Sequence, residues 1–147
     1  LGVEPARVRV IPHGINHDRF APVPGPRDAG LRARLRLPER FVLYPANLWP
    51  HKNHERLVRA LAAVRDPDLH LVLTGADYGR LGELVAVARA AGVAERVHHL
   101  GYVDEDDVPA LLRAAEALVF PSLYEGFGSP PLGVRLPGRE LDARLAR

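Results

Sequence analysis

Four short apolar runs, separated by amphipathic stretches of helical length, constrain the fold of this chain more than any other feature. Phe41 to Ala46 (FVLYPA), Leu69 to Leu73, Val97 to Leu100 and Ala117 to Phe120 suit strands buried on both faces. After the first run, Asn53 is placed to cap a helix reaching about Val64. Leu57, Leu61 and Val64 form its apolar stripe, and Asp66-Pro67-Asp68 ends it. Thr74-Gly75-Ala76-Asp77 leads into a second helix through Leu81, Leu84, Val85 and Ala88, which stops at Gly92. Asp104 opens a third, carrying Val108, Leu111, Leu112 and Ala115. The acidic residues Asp104 to Asp107 read as capping and dipole complementation at its start. Strands alternating with helices of this length pair in parallel through right-handed crossovers, so the predicted class is α/β with a Rossmann-like, doubly wound parallel sheet. Such sheets bind ligands beyond the carboxyl ends of the strands, where the strand order reverses. The loops after Ala46, Thr74, Leu100 and Phe120 are therefore the ones to inspect.

The segment before Arg40 is less regular. Arg7 to Pro12 (RVRVIP) alternates polar and apolar residues and is predicted as a short strand. Ala21 to Gly30 is rich in Pro and Gly and reads as linker, and Leu31 to Leu37 as a short basic helix with solvated arginines.

Two of the four loops carry chemistry. In Ala117 to Leu132 (ALVFPSLYEGFGSPPL), a strand feeds a glycine turn, and Pro130 or Pro131 fits a first helical turn. Backbone N–H groups and a helix N-terminus then converge beside Glu125, an arrangement suited to an anionic or hydroxyl-rich ligand. The same glycine spacing also fits an ordinary strand-to-helix connection. In Asn47 to His54 (NLWPHKNH), Lys52 stands just before a helix start, where its charge and the positive helix end reinforce each other toward a phosphate. It is the one lysine among 20 basic residues. His51 and His54 flank it as further donors, and Trp49 reads as a packing residue or a lid. Neither His51-x-x-His54 nor His98-His99 has an accompanying carboxylate or cysteine pattern, so no metal site is assigned and His98 and His99 are read as structural.

Phe120-Pro121-Ser122 followed by Glu125-Gly126-Phe127-Gly128-x-Pro130 resembles the donor-site signature of the family 4 retaining glycosyltransferases. These have the GT-B fold of two facing Rossmann-like domains. The resemblance covers roughly Val10 to Leu132. It implies a nucleotide-diphosphate sugar as donor substrate, with no further cofactor, and transfer with retention to an unknown acceptor. Lys52 would bind the diphosphate, and Glu125 would contact donor sugar hydroxyls near the reacting carbon as the catalytic residue. The amides of Phe127 and Gly128 would stabilise sugar or phosphate. Gly75 would be a close-approach glycine, and Gly101-Tyr102-Val103 would lie against the base, with Tyr102 contributing through its backbone. Two positions depart from the family. Asn47 stands where an Arg grips the diphosphate and supplies a neutral hydrogen bond at most. Gly133 stands where a second Glu, seven residues beyond the first, holds the ribose.

The resemblance also sets expectations for the ends. Val10 to Phe20 resembles the crossing between the two GT-B domains. Residues 1–20 are then expected to be the remnant of a missing N-terminal domain that carries the acceptor site, and residues 21–147 a nucleotide-sugar-binding domain incomplete at the C-terminal edge of its sheet. The chain begins at Leu1 and contains no methionine, which fits an excised piece. Gly133 to Arg147 reads GVRLPGRELDARLAR, with Pro137-Gly138 breaking any helix. One GC-rich back-translation of this tail, shifted by a base, comes closer to family text, so a frameshifted gene end is expected, and sequencing the encoding DNA decides it. The apolar edge beyond the fourth strand is expected to be covered by the Arg7 to Pro12 strand or by self-association.

Composition narrows the remaining classes. A net charge of +2 with scattered arginines argues against nucleic acid as partner. The absence of cysteine excludes disulfides and thiol chemistry and fits a cytoplasmic setting, and no run reaches the length of a membrane span. A Rossmann-like epimerase or dehydrogenase would need a glycine fingerprint after its first strand, and Asn47 to Lys52 has no glycine. A catalytically dead nucleotide-binding or interaction domain is the alternative to an enzyme.

Overall fold

A computed structural model describes residues 2–9, 11, 14 and 16–126. Its centre is a four-stranded parallel sheet of β1 (Arg40–Pro45), β2 (Leu69–Thr74), β3 (Val97–His99) and β4 (Ala117–Leu118), in the order β3-β2-β1-β4. Around it lie α1 (Leu31–Leu35), α2 (His54–Ala63), α3 (Leu81–Ala90) and α4 (Val108–Ala114). The chain builds outward from β1 through β2 to β3, then returns to the other side of β1 for β4. The strand order therefore reverses between β1 and β4.

The period-two alternation of the strands divides the core into two layers. Phe41, Leu43 and Val72 pack with Leu31, Ala110, Leu111 and Leu112 on the α1 and α4 face. Tyr44, Leu71 and Leu73 pack with Val58, Leu61, Leu84 and Ala88 on the α2 and α3 face. Helices on both faces make the sheet doubly wound, as the sequence predicts. Among the described residues no helix is long and apolar enough to cross a membrane.

The differences from the sequence reading are local. The buried stripe of α2 is His54, Val58 and Leu61; Leu57 packs at its margin and Val64 lies outside the helix, half exposed. Asn53 precedes α2 in the left-handed region, φ 61°, and makes no cap. Its side-chain Nδ2 instead donates to the Pro121 carbonyl at 3.0 Å. Arg7 closes a one-turn 3-10 helix, Pro5–Arg7, and Val8, Arg9 and Ile11 join no strand. Val8 and Ile11 are exposed, so the alternation there has no apolar face to bury. Among the described residues β4 pairs with β1 alone. The expected C-terminal features, from Phe127 and Gly128 through Gly133 to Arg147, lie outside the described residues.

The segment read as linker is bound down. Arg113 of α4 donates to both carboxylate oxygens of Asp28, at 3.0 and 2.6 Å, and to the Ala21 carbonyl at 3.1 Å. The guanidinium holds the Asp28 carboxyl below the usual carboxylate range. Arg32 donates to the carbonyls of Pro38, Glu39 and Ala114, and Arg34 to Asp107 at 2.8 Å. Asp107 is buried at the start of α4 without a side-chain cap bond, so it anchors Arg34 where capping was expected. These arginines fasten α1 and α4, and Arg32 and Arg34 do so while remaining exposed, as the sequence predicts. Arg113→Ala should lower stability by about 1–2 kcal/mol, the scale of a charge-assisted pair with partial exposure. Urea unfolding measures this, and an unchanged midpoint would show that the segment is not fastened through Arg113.

Candidate functional site

The C-terminal ends of β1 and β4 meet at the reversal point, and the loops that follow them are joined atom by atom. Leu123 N–H donates to the His51 carbonyl at 2.8 Å, and Asn53 Nδ2 to Pro121 as described. Tyr44, fully buried near the end of β1, lies beneath both loops. Its hydroxyl donates to the Lys52 carbonyl at 3.0 Å and lies 2.6 Å from Ser122 Oγ. Its ring meets Phe120 edge-on, centroids 5.6 Å apart.

These ties bring Lys52 to Glu125. Lys52 Nζ donates to both carboxylate oxygens, at 2.6 and 2.8 Å, with 18% and 24% of the two side chains exposed. The ammonium also lies 5.9 Å from the centre of the Phe120 ring. Hydrogen bonds from Lys52 and then Ser122 hold the Glu125 carboxyl below its ordinary value of 4.5, so it is ionised at neutral pH. His51 stacks on Tyr124, centroids 4.6 Å apart, on the same loop pair. A cation and an anion thus share one partly open spot next to the start of α2, whose free N–H groups add positive potential.

The rest of the rim is set by Asn47, Gly75 and Gly101. Asn47 Oδ1 accepts from Ala76 N–H at 2.8 Å, Leu48 N–H donates to the Ala76 carbonyl at 2.9 Å, and Gly75 N–H donates to the Gly101 carbonyl at 2.8 Å. Asn47 is therefore a tie between the β1 and β2 loops through its oxygen. Gly75 has φ +114°, and a Cβ there would stand 2.8 Å from Ala46 C, Asn47 N and Asn47 Oδ1, so only glycine fits this crossing. Tyr102, in the loop after β3, is 77% exposed.

Other sequence candidates fall elsewhere. His54 is buried beneath the site, its ring centroid 4.8 Å from that of Tyr44, and does not reach a ligand at the Lys52 loop. Trp49 stacks on Tyr78 at 4.2 Å on the outer side of the rim, over a cleft of about 270 Å³ between α2 and α3. His98 Nε2 lies 2.9 Å from His70 Nδ1, and His99 Nε2 is buried without a partner. Among the described residues no three His, Asp or Glu side chains group as a metal site. Tyr44 and Ser122 were not singled out by the sequence reading. A tyrosine inside an aliphatic buried run, whose hydroxyl must find a partner, was the available signal.

Burial pushes the His54 imidazole down to about 4, from an ordinary 6.5. Between those values the unfolded chain binds more protons than the folded one, so stability is intact above pH 6.5 and declines as pH falls toward 4. About 2 kcal/mol should be gone by pH 5. Urea unfolding at pH 7 and pH 5 measures the decline, and His54→Phe should reduce it; an equal decline in both proteins would remove His54 as its source.

The family model for "Glycosyl transferases group 1" matches residues 31–133. D-inositol 3-phosphate glycosyltransferase of Salinispora tropica is 38% identical over 140 residues, which cover 85% of this chain and 29% of that protein. The structure of sucrose-phosphate synthase from Thermosynechococcus elongatus superposes with TM-score 0.68 at 32% identity, covering 85% of this chain and 32% of that one. HepE of Anabaena, in complex with UDP-glucose, superposes with TM-score 0.68 at 28% identity, covering 82% and 34%. The chain thus spans about a third of the length of these proteins.

Proposed function

Because this chain belongs to the group 1 glycosyl transferases, we propose that it is the nucleotide-sugar-binding part of a retaining glycosyltransferase. The meeting of Lys52 and Glu125 at the sheet's reversal point is the observation that carries this reading. A nucleotide-diphosphate sugar offers matching groups in the same order: a pyrophosphate for the ammonium and the α2 N-terminus, and sugar hydroxyls for the carboxylate. Lys52 binds the diphosphate, and its charge becomes more valuable as the leaving diphosphate gains charge in the transition state. Glu125 accepts from donor sugar hydroxyls next to the reacting carbon. The amides of Phe127 and Gly128 are assigned to the sugar or phosphate from the sequence motif. Gly75 and the Gly101-Tyr102 backbone form the rim against the base, and Asn47 supports that rim through its loop tie, leaving Lys52 as the diphosphate's cation. Likeness to a protein solved with UDP-glucose supports the donor class.

Amide NMR spectra of the chain titrated with UDP, GDP and ADP test this reading. At least one nucleotide should move the signals of Lys52, Ser122, Glu125 and Tyr102. Shifts confined to the outer cleft near Trp49 and Arg80, or no shifts at millimolar nucleotide, would contradict it.

A further inference from the structure

We propose that the outer cleft between α2 and α3 is a binding site for one neutral sugar unit, which packs on Trp49 and bonds the carboxylates of Glu55 and Glu83. The cleft encloses about 270 Å³, at the small end of the range of roughly 300–1,000 Å³ in which ligand pockets fall, and suits a single hexose ring. Leu48 and Leu84 give it apolar walls beside Trp49, and Arg80, Glu55 and Glu83 give it polar ones. A pyranose is divided in the same way. Its C–H faces are apolar and pack on an aromatic ring, while its rim of hydroxyls donates to carboxylates and accepts from a guanidinium. Charge selects among ligands: two carboxylates face one guanidinium, with Arg80 3.0 Å from Glu83, so the cleft disfavours a phosphate and accepts a neutral polyol.

The aromatic pair over the cleft serves the core little. Trp49 and Tyr78 stack with centroids 4.2 Å apart, yet 42% of Trp49 and 54% of Tyr78 remain exposed. Tyr78 holds its place from the left-handed region, φ +48°, which a bulky residue seldom occupies. Asn53, in the cleft wall, is left-handed too, so two of the three described non-glycine residues with positive φ stand at this one place. Strain of this kind gathers at sites that hold ligands. His54 is an independent sign. It also lines the cleft, is 5% exposed, and its Nε2 has no hydrogen-bond partner among the described residues. A hydroxyl both donates and accepts, so a sugar hydroxyl satisfies that nitrogen in either tautomer. Pro50 lines the cleft and Lys52 closes the same 3-10 turn, Pro50–Lys52, so the subsite adjoins the donor loop from its outer side. Sugar binding there requires neither Lys52 nor Glu125 and stands apart from the donor reading.

Trp49 is the one tryptophan of the chain, so tryptophan fluorescence reads this cleft alone. Its emission should shift saturably with glucose, mannose or maltose, with a midpoint of about 1–30 mM, the affinity of a shallow single-ring site. Sorbitol carries similar hydroxyls but no ring face, and should give no saturable shift. Tyr78→Gly accepts the left-handed backbone without strain and removes the ring that stacks on Trp49, so sugar affinity should fall at least tenfold. Glu83→Gln keeps the shape and should weaken binding about tenfold, the effect of one hydrogen bond to a charged group. Circular dichroism confirms that both variants fold. Amide NMR locates the ligand: the sugar should move the signals of Trp49, Asn53 and Arg80 and leave Glu125 in place. Emission that changes only in proportion to sugar concentration, an equal response to sorbitol, or unchanged affinity in both variants would overturn the site. Amide shifts centred on Glu125 would put the free sugar at the Lys52–Glu125 pair and overturn it as well.

Discussion

Lys52→Ala should weaken nucleotide diphosphate binding by about a hundredfold, the upper range for a charge-assisted hydrogen bond. Calorimetric titration of UDP, GDP and ADP measures the change. The fold should be little affected, because the Lys52–Glu125 pair is partly exposed and such pairs contribute up to about 1 kcal/mol. Two further variants separate charge from geometry. Lys52→Arg keeps the charge but replaces a compact ammonium with a longer planar fork that pairs bidentately with Glu125, so affinity for the diphosphate should be intermediate. Glu125→Gln removes the carboxylate that competes for the ammonium, so the bare diphosphate should bind at least as tightly as to wild type. Equal affinity in wild type and Lys52→Ala would remove the ammonium from the site.

Gly75→Ala should destabilise the protein by about 4 kcal/mol, adding a strained backbone to an overpacked contact. At φ +114° any L side chain is strained, and the new Cβ would press on backbone atoms of Ala46 and Asn47 at 2.8 Å. Backbone cannot give way as a flexible side-chain end can, so the β1 and β2 loops must separate. The Asn47 to Ala76 bond and the Leu48 to Ala76 bond are the ones at stake. Urea unfolding gives the loss, and nucleotide affinity should fall with it as the rim loosens. A stability within 1 kcal/mol of wild type would show that the loops slide apart freely.

Much of this was legible in the residues. The four strands follow from short apolar runs bounded by turn residues, and their parallel order follows from intervening helices, because burial on both faces leaves a local signature. Lys52 and Glu125 were legible because each stands in a loop at a strand's carboxyl end. The tertiary partners of polar side chains were not. Asn53 looks like a cap, but its amide serves Pro121, 68 positions away. Asn47 looks like a weak phosphate donor, and its oxygen is committed to Ala76. Arg32 and Arg34 are exposed as the sequence predicts, but their partners are carbonyls and carboxylates brought near only by folding. Val8, Arg9 and Ile11 show the converse: their alternating pattern suggests a strand, yet none of them joins one.

A crystal structure of this chain with the nucleotide sugar that it binds tests the central claim most directly. The account predicts the pyrophosphate within hydrogen-bond reach of Lys52 Nζ at the start of α2, with sugar hydroxyls on the Glu125 carboxylate and the base along Gly101-Tyr102. A pyrophosphate held in the outer cleft by Arg80, with the Lys52–Glu125 pair undisturbed, would contradict it.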